Sequence, residues 1–377
     1  MSPLKVLALV PDYIEKPSGG VGEQFRQLQK QLQGKVEYYI CGYPEDNQNP
    51  NFRSTTAPIP HFPHQALTTI YGQSMYFWES LQFTQEFDLV HAFDWSTFYA
   101  GVLSSRHFKK PLVCTVQLSL AQLNKSGIYY CHDYNTVDGK YINNLQIEFE
   151  LFGLHNANRI IQVSEYYKNF YNTPEFESKT TVIHNGINLE EWVQKRTPNL
   201  PGKNKTKLCY IGRASVMKGL SIILECPIPD DVDFYFIASD KNAEEPFYSQ
   251  IKQKANGKNI FHINGLYGQD KIDMLFAMDG VVMPSVHEPF GIVALEALIS
   301  KNTLFTTAVG GIAEIVNGIP HLPIDSPDSL LTQINFFKNC SNEIKQDAIE
   351  KGIERAKTFD WKVQSEKLLT AYKSVLN

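Results

Sequence analysis

Two rounds of a single rhythm leave this chain few architectures to choose from. Short, nearly unbroken apolar runs alternate with stretches of helical periodicity. In the first round the runs are LKVLALV (4–10), KVEYYIC (35–41), FDLVHAF (87–93), PLVCTVQ (111–117), RIIQVS (159–164) and TTVIHNG (180–186). They lack the in-and-out alternation of half-exposed strands, so they predict strands buried on both faces, as in a parallel sheet. Stretches such as VGEQFRQLQKQL and KYINNLQIEFELFGLHNA separate them. That order means βαβ units and a doubly wound α/β sheet.

The rhythm restarts after EEWVQKRTPNLPGKNKTK (190–207), a polar stretch with two prolines and a glycine. KLCYIGR, VDFYFIAS, IFHING, GVVMPS and TLFTTAV then alternate with helices near 218–226, 244–255, 269–278 and 291–299. A second Rossmann-like domain follows from this. A length of 377 residues agrees, being too great for one ordinary core. The expected division is an N-terminal domain over 1–192, a linker over 193–206 and a C-terminal domain over 207–360. The chain closes in helices; SPDSLLTQINFF opens on Ser326 as N-cap with Pro327 in the first helical position. The stretch 43–68 carries no clear element, and loops of that length are usually functional or mobile.

Composition matters mainly for what it excludes. A formal net charge of -5 argues against nucleic-acid binding by charge alone. The six cysteines (Cys41, Cys114, Cys131, Cys209, Cys226, Cys340) form no CxxC pair, and reduced thiols fit a cytoplasmic protein. The start MSPLKVLALVPDY lacks the cleavage site of a signal peptide. No apolar run approaches the roughly 20 residues needed to span a bilayer.

Open α/β sheets bind ligands at the carboxyl ends of their strands, so the loops there are the places to look for chemistry. The first such loop, PDYIEKPSGGVGEQF, sets Gly19, Gly20 and Gly22 before a helix whose N-terminus can face an anion. As a dinucleotide fingerprint it fails, because Phe25 stands where the third glycine belongs. Simple turn chemistry competes evenly with anion binding here, and Lys16 reads as a solvated charge. In the second domain YIGRASVMKGL places Arg213 and Lys218 five residues apart after a strand. A planar guanidinium and a point-charge ammonium suit a diphosphate, against the bland reading of two surface cations.

Next come HEPFGIVALEAL, with Glu288 and Glu296, and TTAVGGIAEIV, where Gly310 and Gly311 read as a second backbone cradle. Glu296 is the only charge between Gly291 and Ile299. A carboxylate facing an apolar core must find a partner or take up a proton. A ribose diol at the strand ends is one partner; a core arginine or backbone amides are the others.

These residues carry a resemblance. The chain resembles the retaining glycosyltransferases of family 4, also called group 1, and the related glycogen and starch synthases, all of GT-B fold. The likeness runs through SGGVGE, LVHAFDW, VSEYYKNF, VIHNGINLEEW, YIGRASVMKGL, EPFGIVALEA, VGGIAEIV and a terminal helix opening on FDW. It implies two Rossmann-like domains facing across a cleft, with the last helix (361–377) returning to the N-terminal domain. It implies a hexosyltransferase-type enzyme that uses a nucleoside-diphosphate sugar, UDP-, GDP- or ADP-linked. The acceptor would be a hydroxyl on a glycan, a lipid-linked sugar or a small molecule.

The same resemblance implies residue roles. Arg213 and Lys218 would hold the diphosphate and stabilise the leaving phosphate. Glu288, with Phe290, Gly291 and Ile292, would lie at the donor sugar and phosphate. Glu296 would bind the ribose hydroxyls, Leu266 and Tyr267 would touch the base, and Gly19 and Gly20 would approach the diphosphate. Fixed cations and a helix dipole stabilise a leaving phosphate without reorganisation, so neither metal nor cofactor is expected. The one DxD-like triplet, Asp231–Val232–Asp233, precedes its strand and reads as a solvated turn.

One position departs from the family pattern. Where members usually carry a histidine after the fourth strand, this chain has Gln117, which donates hydrogen bonds but cannot shuttle a proton. A catalytically impaired, sugar-nucleotide-binding or glycan-binding regulator is therefore the alternative function; an epimerase or phosphorylase on the same fold is a more distant one. His91 and Asp94 are candidates for acceptor or donor-sugar contacts, with a structural role for His91 equally weighted. The aromatic stretch 61–83 reads as a core helix, with sugar stacking or a peripheral membrane contact as competing readings.

Overall fold

The computed structural model describes residues 2–12, 19–42, 50–55, 65–129, 136–171, 173–240, 243–255 and 258–376, with the side chains of 65–67 excepted. Lys16, Cys131 and most of 43–68 lie outside them. The chain divides into two compact units, one of Met1–Asn185 with Trp361–Asn377 and one of Gly186–Asp360.

Unit 1 runs β1 (Leu4–Val10), α1 (Gly20–Gln31), β2 (Val36–Gly42), β3 (Phe52–Ser54), α2 (Gln65–Ser80), β4 (Leu89–Phe93) and α3 (Trp95–Phe108). It continues with β5 (Leu112–Val116), α4 (Leu120–Lys125), α5 (Val137–Asn156), β6 (Arg159–Gln162), α6 (Glu165–Phe170), α7 (Pro174–Lys179) and β7 (Thr180–Val182). Its strands form one seven-stranded sheet in the order β3-β2-β1-β4-β5-β6-β7, parallel throughout. Strands β4 and β5 are buried at every residue, the reason for their unbroken apolar runs. β3 falls inside 43–68, where the sequence showed no element; three residues are too few to display a period.

Unit 2 runs β8 (Thr206–Ile211), α8 (Ser221–Glu225), β9 (Val232–Ile237), α9 (Glu245–Lys254), β10 (Ile260–Ile263), α10 (Gly268–Phe276) and β11 (Gly280–Met283). Then come α11 (Ile292–Ile299), β12 (Thr303–Thr306), α12 (Gly311–Val316), β13 (Leu322–Pro323), α13 (Pro327–Asn339) and α14 (Asn342–Lys357). The six strands are ordered β10-β9-β8-β11-β12-β13, again all parallel. Ser326 caps α13 by accepting from Ser329 N, with Pro327 in the first turn.

The last helix, α15 (Trp361–Ser374), belongs to unit 1. It buries Trp361, Leu368, Leu369 and Tyr372 in the core that holds Val6, Phe25, Tyr38 and Phe93. Phe25 meets Tyr38 and Phe93 edge-on at 5.0 and 5.1 Å. Each apolar side chain fully buried in this way stabilises by about 1.5–3 kcal/mol.

Residues 193–206, expected as an interdomain linker, belong to unit 2. Lys195 N and Arg196 Nε donate to the buried Asp273 at 2.7 and 3.1 Å. Asn204 donates twice to the buried Asp233, at 2.8 and 2.9 Å. Two carboxylates inside the fold need donors, and this polar stretch supplies them.

Candidate active site

In unit 2 the strand order turns back between β8 and β11, which hydrogen-bond to each other although two strands separate them in sequence. Such switch points open a crevice at the carboxyl ends, between the loops that leave the two strands. Here those loops are 212–220 and 284–291. They are joined through backbone: Val286 N and His287 N both donate to Met217 O, at 2.9 and 3.3 Å. Gly219, in the left-handed region at φ 60°, lies so close to Pro284 that an added Cβ would stand 1.8 Å from its carbonyl oxygen.

The joined loops bring Lys218 Nζ to 2.6 Å from Glu288 Oε2, and Ser285 Oγ donates to the same oxygen at 3.2 Å. Arg213, five residues before Lys218, is exposed and makes no ion pair among the described residues. Its carbonyl accepts from Tyr210 Oη at 2.5 Å, which fixes the backbone and leaves the guanidinium available. His287 is buried, and burial lowers its pKa to about 4, with Glu288 pulling the other way.

Gly310 and Gly311 support this loop from behind. Gly311 N donates to Glu288 O at 2.9 Å, and a Cβ on Gly310 would stand 2.1 Å from that same oxygen. The expected second backbone cradle is a steric seat for the Glu288–Phe290 backbone, and the Gly311 amide is already used there. Phe290 is buried edge-on against Phe359 at 5.6 Å, and Gly291, at φ 104°, caps α11 just before Ile292.

Glu296 lies on the buried side of α11 and receives Lys271 Nζ at 2.5 Å. That ammonium also stands over the Trp192 ring, 5.4 Å from its centre, and Trp192 Nε1 donates to Ser300 Oγ at 2.6 Å. Lys271 comes from α10, one turn after Tyr267, which caps the helix and is exposed; Leu266 beside it is half-buried. Both glutamates of the motif are thus paired with lysines.

In unit 1 the order turns back between β1 and β4. After β1, Gly19 and Gly20 open α1, but a carboxylate is already there: Asp12 Oδ2 accepts from Gly19 N at 3.1 Å and Gly22 N at 3.0 Å. After β4, Asp94 is buried at φ 67° and ψ 160°, a region that costs a non-glycine residue about 1–3 kcal/mol. Burial raises its pKa to about 7 against the opposing hydrogen bond from Leu118 N. Strain of that kind is retained where surrounding structure over-determines it, and functional sites are where it collects.

Gln117, at the end of β5, is locked. Its Nε2 donates to Asn185 Oδ1 at 3.1 Å and its Oε1 accepts from Asn185 Nδ2 at 3.0 Å, both residues being buried. The following amides are all held: Leu118 by Asp94, Ser119 by Tyr167 Oη, and Leu120 and Ala121 by the buried Glu150. His91 does not fit the contact role open to it from sequence. It is fully buried, stacked on Phe93 at 3.8 Å, with Nδ1 2.6 Å from Tyr372 Oη and Nε2 2.7 Å from Thr115 Oγ1. Burial lowers its pKa to about 3, so it is a neutral core residue that docks α15.

Both acids of the DxD-like triplet are engaged. Asp233 is buried under Asn204, and Asp231 pairs with Lys338 at 2.5 Å. The solvated-turn expectation is thereby corrected for Asp233. Among the described residues no three of His, Cys, Asp and Glu stand close enough to hold a metal ion.

Residues 18–191 match the family model Glycosyltransferase Family 4, and residues 193–355 match Glycosyl transferases group 1. The chain belongs to the group 1 glycosyltransferases. It is an enzyme that takes its sugar from a nucleotide-sugar donor. A glycosyltransferase of Methanocaldococcus jannaschii is 24% identical to it over 94% of both chains. Among solved structures, sucrose-phosphate synthase from Thermosynechococcus elongatus superposes with a TM-score of 0.77 at 17% identity over 98% of both chains. Anabaena HepE, in complex with UDP and glucose, gives 0.70 at 15% identity, over 98% of this chain and all of its own. These likenesses identify the fold as GT-B.

In this group 1 glycosyltransferase Arg213, Lys218, Glu288, Phe290, Gly291 and Ile292 all sit on or beside the two switch-point loops of unit 2. Asp94 and Gln117 sit at strand ends of unit 1, and His91 lies within β4. Sequence reasoning missed Lys271, Asp12 and Asn185. A lone charge in an apolar helix announced that Glu296 needs a partner, but nothing local pointed to a lysine 25 residues upstream.

Proposed function

We propose that this glycosyltransferase moves a hexosyl group from a nucleoside-diphosphate sugar to a hydroxyl acceptor with retention of anomeric configuration and without a metal ion. The observation that carries the reading is the Lys218–Glu288 pair, with the exposed Arg213 on the same loop at the switch point of unit 2. Two fixed cations there meet the diphosphate, Arg213 as a planar fork and Lys218 as a point charge. When the anomeric carbon–oxygen bond breaks, its electron pair goes to the leaving phosphate oxygen, and these cations stabilise that charge without reorganising. That is the work a divalent cation would otherwise do.

The acceptor oxygen bonds to the anomeric carbon on the face the phosphate leaves, and its proton passes to the departing phosphate oxygen. Gln117 cannot take that proton. Its role is to hold a hydroxyl of the transferred sugar, and Asp94 serves the sugar or the acceptor. Glu296 serves the ribose, Leu266 and Tyr267 the base, and Gly19 and Gly20 the diphosphate.

Since HepE is described with UDP, UDP-sugars are the first donors to try, followed by ADP- and GDP-sugars. The test is nucleotide release from a donor panel, with the product anomer read by NMR and the rate repeated in excess chelator. Retained configuration and an unchanged rate support the proposal. An inverted product overturns retention, and a chelator-sensitive rate overturns metal independence. Tight nucleotide binding with no release from any donor would favour the binding-protein alternative raised by Gln117.

A further inference from the structure

In the ion pair Lys271–Glu296 the glutamate side chain is 5% exposed and the lysine side chain 25%. The lysine is thus the more accessible member of the pair. We propose that Lys271 is a specificity-determining residue of the donor site, its ammonium donating a hydrogen bond to a ribose hydroxyl while Glu296 anchors it from below. The inference rests on the reading that Glu296 serves the ribose and deepens it by naming the group that makes contact.

Three observations converge. An ammonium has three N–H donors. One is used on Glu296 Oε1 at 2.5 Å, and the cation is steadied over the face of Trp192, whose π-system attracts positive charge. At least one donor remains beyond the carboxylate. Second, Lys271 lies in the first turn of α10, and its backbone N donates to the carbonyl of the N-cap residue Tyr267 at 3.4 Å, so the two stand close together. With the base at Tyr267, the next group along the nucleotide is the ribose. Third, Trp192 is itself tied to Ser300 at 2.6 Å, so the aromatic support beneath Lys271 does not swing freely. A long, flexible lysine is thereby held in one place, as a specificity contact requires.

A held donor discriminates by what it loses: a sugar without the hydroxyl leaves the ammonium without its partner. The experiment measures dissociation constants by calorimetry for UDP and 2′-deoxy-UDP, with the ADP and GDP pairs alongside, on the intact chain. The wild type should prefer the ribonucleotide by about tenfold or more, the loss expected for one hydrogen bond to a charged group. Lys271→Met should bring that ratio to within about twofold, and Lys271→Arg, which keeps a donor, should restore most of it. Taking a ratio cancels any general loss of positive charge, and thermal unfolding of each variant excludes misfolding.

A Lys271→Met protein that keeps the wild-type ratio while Glu296→Gln loses it overturns this inference and leaves the ribose role of Glu296 standing. A wild type with no preference in any of the three pairs, unmoved by Glu296→Gln, overturns the ribose reading together with the inference.

Discussion

Lys218 Nζ and Glu288 Oε2 lie 2.6 Å apart although 70 residues separate them, and a backbone seam between their loops, not side-chain reach, brings them together. The seam closes because Gly219 admits the Pro284 carbonyl where any side chain would collide. A cation paired with a carboxylate is thus built into the junction of two strands.

Removing that charge should show in turnover. Lys218→Ala is expected to lower kcat by about 10²–10³, the scale measured when one preorganised stabiliser of developing charge is deleted. Part of the loss comes from leaving the buried Glu288 without its cation. Nucleotide release against time is the measurement; a rate within twofold of wild type would remove Lys218 from the leaving-group site.

Arg213 offers a cleaner contrast because its exposed side chain supports no ion pair among the described residues. Arg213→Ala should leave the unfolding temperature nearly unchanged. Nucleoside-diphosphate affinity should fall by about 10- to 100-fold, the worth of a hydrogen bond to a charged group. Calorimetric titration and a melting curve on one preparation check both halves.

Gly310→Ala tests the seat under Glu288. With φ at +59° and a new Cβ 2.1 Å from the Glu288 carbonyl, the 288–290 backbone has to move. Stability should drop by more than about 1 kcal/mol. Activity should drop with it, whereas Gly318→Ala, with φ +78° and nothing within 4 Å of its added Cβ, should lose stability without a matching loss of turnover. Denaturant titration and rates on both variants decide the matter.

The Gln117–Asn185 lock predicts an asymmetry. Asn185→Ala strands a buried carboxamide and should cost about 1–3 kcal/mol. The turnover of Asn185→Ala should fall beyond what its stability explains, because the Gln117 amide is free to rotate. Activity that survives intact in well-folded Asn185→Ala protein would show that the orientation of Gln117 is irrelevant.

Acid stability should depend on two buried groups of opposite sign. His91 titrates at about 3 in the fold against about 6.5 when unfolded, chiefly through burial. Its stabilising contribution is complete above the unfolded value and is lost as pH falls from 6.5 towards 3. Asp94 has its pKa raised to about 7 by burial, so its contribution is complete below the unfolded value near 3.8 and is lost as pH rises towards 7. The two slopes oppose each other between pH 4 and 6.5. Asp94→Asn should therefore steepen the loss of stability on acidification, and His91→Gln should flatten it. Urea titrations at half-unit pH steps follow both.

Both parallel sheets were legible before any coordinates. Burial on both faces is written into every residue of runs such as VVM in β11 or LVCTV in β5, and the glycines, prolines and caps between them mark the breaks. Arg213, Lys218, Glu288 and Glu296 could be singled out for a similar reason, because each breaks or punctuates a local apolar pattern. Local pattern had no access to partners. Whether His91 faces a substrate or a tyrosine of the last helix depends on where α15 docks; that Lys271 reaches Glu296 depends on α10 and α11 lying side by side. The stretch 193–206 shows the same limit: KRTPNLPGKN reads as a linker in sequence, and only the fold shows the buried Asp273 and Asp233 taking its donors. Periodicity is a property of neighbours along the chain and needs no strand order. Charge pairing is a property of neighbours in space, and only the order of the strands sets those.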